Sequence, residues 1–209
     1  MTTKQFEITG KCNLHCETCF NWELMKQLKN IEVENVLKKV SEGDVVYIGG
    51  GEPMSHPKVQ ELVEKLVEIP SEAVITTNGT IYKKMPKQAQ IQISVWTLNL
   101  GLYNKIQRRT EKQLDKLKEN ISKYLSDGNP VLINMPVYEQ NFNEINSVSD
   151  YANSLNLPLR INPIFSANGF SVDSDLEKKI ENSVFKLKLQ GRNIIYSKNK
   201  MPVERFYSK

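Results

Sequence analysis

The chain has 209 residues, 39% of them hydrophobic and 25% charged, with a formal net charge of +4. That length suits a single domain able to bury its own core, and the composition is that of an ordinary globular chain. No apolar run approaches the roughly 20 residues of a membrane helix, residues 1–7 lack the apolar stretch of a secretory signal, and the mild positive excess admits an anionic substrate without requiring nucleic acid; the expectation is a cytoplasmic protein.

Residues 5–9 read as a first strand that runs directly into the chain's 3 cysteines, Cys12, Cys16 and Cys19. An odd, clustered set points to metal or redox chemistry in a reducing compartment, not to a disulfide framework. Their spacing is C-x3-C-x2-C, and thiolates are soft ligands that suit iron–sulfur clusters. A [4Fe-4S] cubane has four irons, so three cysteines leave one iron open to a small molecule. Zinc is the alternative. It needs a fourth ligand from His15 or His56, and His15, between two of the cysteines, is poorly placed to complete a tetrahedron.

Residues 45–48 form the second strand and end on Gly49-Gly50-Gly51-Glu52-Pro53. Consecutive glycines allow positive φ and close backbone approach, so main-chain groups can meet a ligand there; a plain strand-to-helix turn uses the same residues. Val59, Leu62, Val63, Leu66 and Val67 then share one helical face. The third strand, 73–77, stops at the turn signal Asn78-Gly79, and the link 81–90, interrupted by Pro86, has room for a turn or two of helix. Ser94 lies in the fourth strand, 91–95, with Trp96 just beyond it and the basic pair Arg108 and Arg109 further on.

A helix with Leu114, Leu117, Ile121 and Tyr124 on its apolar face leads to the fifth strand, 131–137. Within that strand Asn134 sits among apolar neighbours, and a buried amide needs partners. Ile145, Val148, Ala152 and Leu155 mark another helix, and 159–165 the sixth strand. Arg160 and Asn162 on it, with Tyr47 and Tyr138, are candidates to line a cavity. A last helix starts after Ser174, with Asp175 and Glu177 in its first turn and Ile180, Val184 and Leu187 facing inward. From Lys186 to Lys209 the bases outnumber a single acid, Glu204, a pattern of a solvated surface or of steering toward a phosphorylated or nucleic-acid substrate.

Strand followed by crossover, six times over, argues for a parallel sheet. Eight such units close a barrel of about 250 residues, so six units in a shorter chain predict an α/β fold, a partial (β/α)6 TIM-type barrel. Residues 1–170 would form its core, and 171–209 a C-terminal helix and basic tail packed on it. Ligands in such sheets bind at the C-terminal strand ends, where the cysteines, the glycines and Asn78-Gly79 all fall.

The segment Cys12-Asn13-Leu14-His15-Cys16-Glu17-Thr18-Cys19, followed by Gly49-Gly50-Gly51-Glu52, resembles the radical S-adenosylmethionine (SAM) superfamily over roughly residues 5–165. The resemblance implies a [4Fe-4S] cluster on Cys12, Cys16 and Cys19 whose open iron takes SAM, and reductive cleavage of SAM to methionine and a 5′-deoxyadenosyl radical that abstracts hydrogen from substrate. It further implies that Gly49, Gly50, Gly51 and Glu52 hold the SAM amino group and Ser94 the ribose. Arg108 or Arg109 pairs with the SAM carboxylate, as a guanidinium suits, and Asn134 is a second candidate for the ribose hydroxyls. Two departures stand out: Thr18 replaces the aromatic residue many members carry before the third cysteine, with Phe20 following it instead, and Trp96 stands where several have Asp. A flavodoxin- or ferredoxin-type electron donor is implied, and a substrate that is a small molecule, nucleotide or peptide, with the net charge compatible with an anionic one. The cysteine-free tail excludes the auxiliary clusters of many peptide-modifying relatives. Two other functions stay open: an activase that leaves a glycyl radical on a partner protein, and a zinc- or cluster-binding regulator.

Overall fold

Alternation of β-branched runs with amphipathic segments produces a parallel sheet with helical crossovers, seen in a computed structural model that describes residues 2–19, 22–69, 71–108, 110–164, 172–197 and 204–207. The strands are β1 (Thr3–Glu7), β2 (Val45–Gly49), β3 (Glu72–Thr77), β4 (Gln90–Ser94), β5 (Val131–Val137), β6 (Leu159–Pro163), β7 (Ile194–Tyr196) and β8 (Glu204–Tyr207). Between them lie α1 (Trp22–Met25), α2 (Val33–Leu37), α3 (Val59–Glu68), α4 (Leu100–Gln107), α5 (Glu111–Ser126), α6 (Ile145–Ser154) and α7 (Ser174–Leu189). Two helices, α4 and α7, begin at side-chain caps that satisfy orphan first-turn N–H groups. Asn99 Oδ1 accepts from Leu102 N at 3.0 Å, and Asp173 Oδ1 accepts from Leu176 N at 2.7 Å.

The six expected strands are present, and two more join them in the order β7-β6-β5-β4-β3-β2-β1-β8, every pair parallel. β1 begins and ends two residues earlier than the predicted 5–9. Ile8 and Thr9 still pair with the second strand's end, Ile8 N to Gly49 O at 3.0 Å and Gly51 N to Thr9 O at 2.8 Å. Gly50, at φ 130°, turns the chain out of the regular ladder between them. Phe165, at the end of the predicted sixth strand, lies outside the described residues.

β7 and β8 are successive in the chain yet occupy opposite edges of the sheet. The links from Tyr196 to Glu204 reach at most about 29 Å. Strands about 4.8 Å apart would hold the edges of a flat eight-stranded sheet about 34 Å apart. The sheet must therefore curl toward closure, which is the geometry of a barrel.

Alternate strand residues face opposite sides. Phe6, Ile48, Ile75, Ile91, Ile133 and Ile161 belong to one hydrophobic core with Leu62, Leu66, Leu117, Ile121, Val148, Ile180 and Val184 of the helices. Gln5, Glu7, Gln92, Asn134, Arg160 and Asn162 have the other parity and face the inside of the curl. Among the described residues no helix is long and apolar enough to cross a membrane.

His56 follows the glycine turn and is 1% exposed. Its Nδ1 accepts from Lys58 N at 3.1 Å, which leaves Nε2 to donate to Ile31 O at 3.1 Å. Both nitrogens thus serve the fold in the neutral tautomer. Burial, reinforced by Lys83 and Lys58, holds the imidazole pKa below its ordinary 6.5. A base with a depressed folded pKa stabilises fully above its unfolded value and loses that contribution as pH falls. The melting temperature is accordingly expected to drop as pH decreases below about 6.5, and His56→Gln to lack this component when melting is followed from pH 8 to 5.

Candidate functional site

The loop after β1 carries the three cysteines at the C-terminal edge of the sheet, all three half-buried. Three separate anchors set its path. At its start, Glu52 N donates to Lys11 O at 2.8 Å and Lys11 N to Thr9 Oγ1 at 3.1 Å, so β1–β2 pairing carries on into the loop. In its middle, Asn78 Nδ2 donates to Asn13 Oδ1 at 2.9 Å and Asn13 Nδ2 to Thr80 Oγ1 at 2.8 Å, tying the loop to the turn after β3. Near its end, Glu17 N donates to Ile106 O at 2.9 Å in the last turn of α4.

The glycines are required by contact. A Cβ on Gly51 would lie 2.4 Å from Lys11 O, one on Gly50 2.5 Å from Thr9 O, and one on Gly10 1.9 Å from Met25 O. All three obstacles are backbone atoms, which cannot step aside as a side-chain tip can. The loop and the glycine turn are thereby pressed into main-chain contact.

Glu52 is 1% exposed and its carboxylate braces the site from below. Oε1 accepts from Met54 N at 3.0 Å and Thr77 Oγ1 at 2.7 Å, and Oε2 from Asn78 N at 2.8 Å. One buried side chain thus joins the ends of β2 and β3 to the short helical turn at Pro53–Ser55. Ser94 and Asn134 are directly paired on β4 and β5 and share the inner face. Arg108 caps α4 in a left-handed conformation, φ 51°, two residues past the carbonyl that holds Glu17. Arg109 and Phe20 lie outside the described residues. Trp96 and Tyr138 meet edge-to-face with centroids 6.0 Å apart beyond the ends of β4 and β5.

Sequence reasoning missed the supports. Asn141, fully buried, donates through Nδ2 to Trp96 O at 2.9 Å and Pro136 O at 2.8 Å, and accepts from Tyr138 N at 2.9 Å. Asn13 and Thr80 were likewise unmarked. They bond each other across 67 residues, from two separate loops, so no local pattern marks them.

Several features fit an iron–sulfur cluster with a small-molecule ligand. Burial pushes the Cys12 thiol up to about 11, with Glu52 and the other two cysteines adding to the rise. Bound iron removes that penalty by stabilising thiolate. Among the described residues, Thr18 Oγ1, Gln107 Oε1, Asn134 Oδ1 and Arg160 Nε are buried without a partner, an arrangement costly unless a ligand supplies one. No three Cys, His, Asp or Glu side chains among the described residues gather closely enough to hold a single ion, and His56 is committed to the backbone. Asn13→Ala is expected to leave folding intact but to speed loss of iron to a chelator about tenfold, as supporting contacts of metal ligands do; a rate equal to wild type would show that the anchor is dispensable.

The model of the Radical SAM superfamily matches residues 6–152. Over 124 residues the chain is 34% identical to the 7-carboxy-7-deazaguanine synthase of Rickettsia prowazekii (strain Madrid E), a match covering 54% of this chain and 51% of that one. It is 24% identical over 197 residues to a probable GTP 3′,8-cyclase of Pyrococcus abyssi (strain GE5 / Orsay), covering 88% of this chain and 60% of the relative. SuiB of Streptococcus suis bound to S-adenosylmethionine shares the fold with a TM-score of 0.77 at 17% identity, over 95% of this chain and 50% of SuiB. SuiB is also known bound to its precursor peptide SuiA. This chain spans about half the length of the synthase and of SuiB. Since the family model covers well over half of the chain and includes the cysteine loop and the glycine turn, the protein belongs to the radical SAM superfamily.

Proposed function

We propose that the chain is a radical SAM enzyme whose Cys12, Cys16 and Cys19 hold three irons of a [4Fe-4S] cluster and whose fourth iron takes SAM. When bound, that pair supplies the chemistry of the family, reductive cleavage of SAM to methionine and a 5′-deoxyadenosyl radical. The observation that carries the reading is a three-thiol loop anchored at three points around the mouth of a polar-lined barrel.

The chain's own residues bind and orient. Gly49, Gly50 and Gly51 bring main chain up to the methionine end of SAM without side chains in the way, and Glu52 keeps that turn in place from beneath. Arg108 or Arg109 takes the SAM carboxylate. Ser94 and Asn134, side by side on β4 and β5, take the ribose hydroxyls, which gives the orphaned Asn134 Oδ1 its donor. The curled sheet shields the reactive species from water, as such chemistry requires. A flavodoxin- or ferredoxin-type protein supplies the electron, and three thiols kept for iron suit the reducing cytoplasm.

Anaerobic reconstitution tests this reading. Uptake of about four irons per chain and dithionite-dependent release of 5′-deoxyadenosine from SAM are expected. Tetrahedral zinc in the purified protein, with no SAM cleavage after reconstitution, would return the chain to a metal-binding regulator.

A further inference from the structure

The interior of a closed parallel barrel is normally packed with branched apolar side chains. Here the inner face is largely polar. Arg160 on β6 reaches across β5 and donates through Nη1 to Gln92 Oε1 on β4 at 2.7 Å. Gln92 Nε2 in turn lies 3.4 Å from Thr76 Oγ1 on β3. On the other side Gln5 Nε2 donates to Glu7 Oε1 at 2.6 Å within β1. Between the two groups β2 contributes Gly49, whose missing Cβ makes room for the Glu7 carboxylate: a Cβ there would stand 3.1 Å from Glu7 Oε2.

Charge narrows what this lining accepts. The inner-face strand residues named here include one acid, Glu7, and two bases, Arg160 on β6 and Arg205 on β8, the latter paired directly with Gln5 and offsetting the charge of Glu7. Arg160 has one arm committed to a neutral amide, while its Nε is buried without a partner among the described residues. Glu7 is 3% exposed, and burial raises its carboxyl pKa. A phosphate chain is bound by several cations or by stacked main-chain N–H groups; of the two guanidiniums on this lining, Arg205 is set against an acid and Arg160 is bonded to a neutral amide. Carboxamides offer a donor and an acceptor side by side, as do amides and lactams.

We propose that the barrel interior binds its substrate through uncharged amide or lactam groups, with carbonyl oxygens toward Arg160 and Gln92 and N–H groups toward Glu7, and that it has no phosphate-binding function. The proposal rests on SAM occupying the strand ends above, as inferred for this site. The shared chemistry has two sources, a peptide backbone and a lactam-bearing heterocycle, and the test separates them.

Binding to the reconstituted protein with SAM is measured anaerobically, by calorimetry in 0.15 M salt, for guanosine, GTP and N-acetyl-alanine N-methylamide. Saturable binding of guanosine identifies the heterocycle, and saturable binding of the capped alanine identifies the peptide. Either supports the proposal if GTP binds no more tightly than guanosine and if Glu7→Gln and Gln92→Met each weaken the bound probe by about tenfold. GTP binding tenfold tighter than guanosine overturns it, as does failure of both neutral probes or indifference to both substitutions. The guanosine–GTP comparison uses the unmodified protein and survives any folding defect in the variants. Iron content and 5′-deoxyadenosine release, measured on the same preparation, report separately on the radical SAM reading.

Discussion

Replacing any one of Cys12, Cys16 and Cys19 by alanine is expected to reduce 5′-deoxyadenosine formation by more than about hundredfold, because even supporting contacts of a metal ligand are worth ten- to hundredfold. Each cysteine anchors one corner of the cubane, and the loop has no cysteine to spare, since the sequence contains only these 3. The substitution removes a half-buried thiol from a loop held by other residues, so the metal-free protein should melt within about 1 kcal/mol of wild type, as exposed or half-exposed changes usually do. Iron content and the absorbance of the reconstituted protein provide the second readout. A variant that keeps about four irons and turns SAM over at an undiminished rate would refute the ligand assignment.

The second large effect concerns Glu52 and separates scaffold from ligand contact. Glu52→Ala strips acceptors from Met54 N, Thr77 Oγ1 and Asn78 N at once. Each buried donor left unmatched costs about 1–3 kcal/mol. With some relief from rearrangement, a loss of about 3–5 kcal/mol is expected, a fall in melting temperature of roughly 10 °C for a chain of this size. Glu52→Gln keeps one oxygen but turns an N–H2 toward existing donors, and should fall between. The measurement is made on protein without iron or SAM. An unchanged melting temperature there, with impaired SAM binding in the reconstituted protein, would show that the carboxylate serves the ligand and not the fold.

The candidate site was legible wherever its residues are contiguous. Cys12 to Cys19 declares its chemistry by spacing, and Gly50 and Gly51 by the absence of Cβ atoms for which neighbouring backbone carbonyls leave no room. Ser94 and Asn134 were marked one by one, and strand register made them neighbours. Asn13 and Thr80 went unmarked because they bond each other from loops far apart in the chain, and Asn141 because one of its partners, Trp96 O, lies 45 residues away. β8 was equally hidden: its four residues have no strong apolar alternation, and Phe206 earns its place by stacking on Phe6 at 4.7 Å, almost the whole chain away.

Local chemistry alone determined that the chain alternates strand and helix, that its thiols form one ligand loop and that glycines crowd the next strand end. Those features depend on neighbours a few residues apart, where propensity and spacing act. Tertiary structure decided which strand closes the sheet against β1, which buried acid braces the turn and how polar side chains from separate strands meet inside the curl. Such pairings follow from register and curvature, which arise when distant strands share hydrogen bonds, and no short stretch of sequence encodes them.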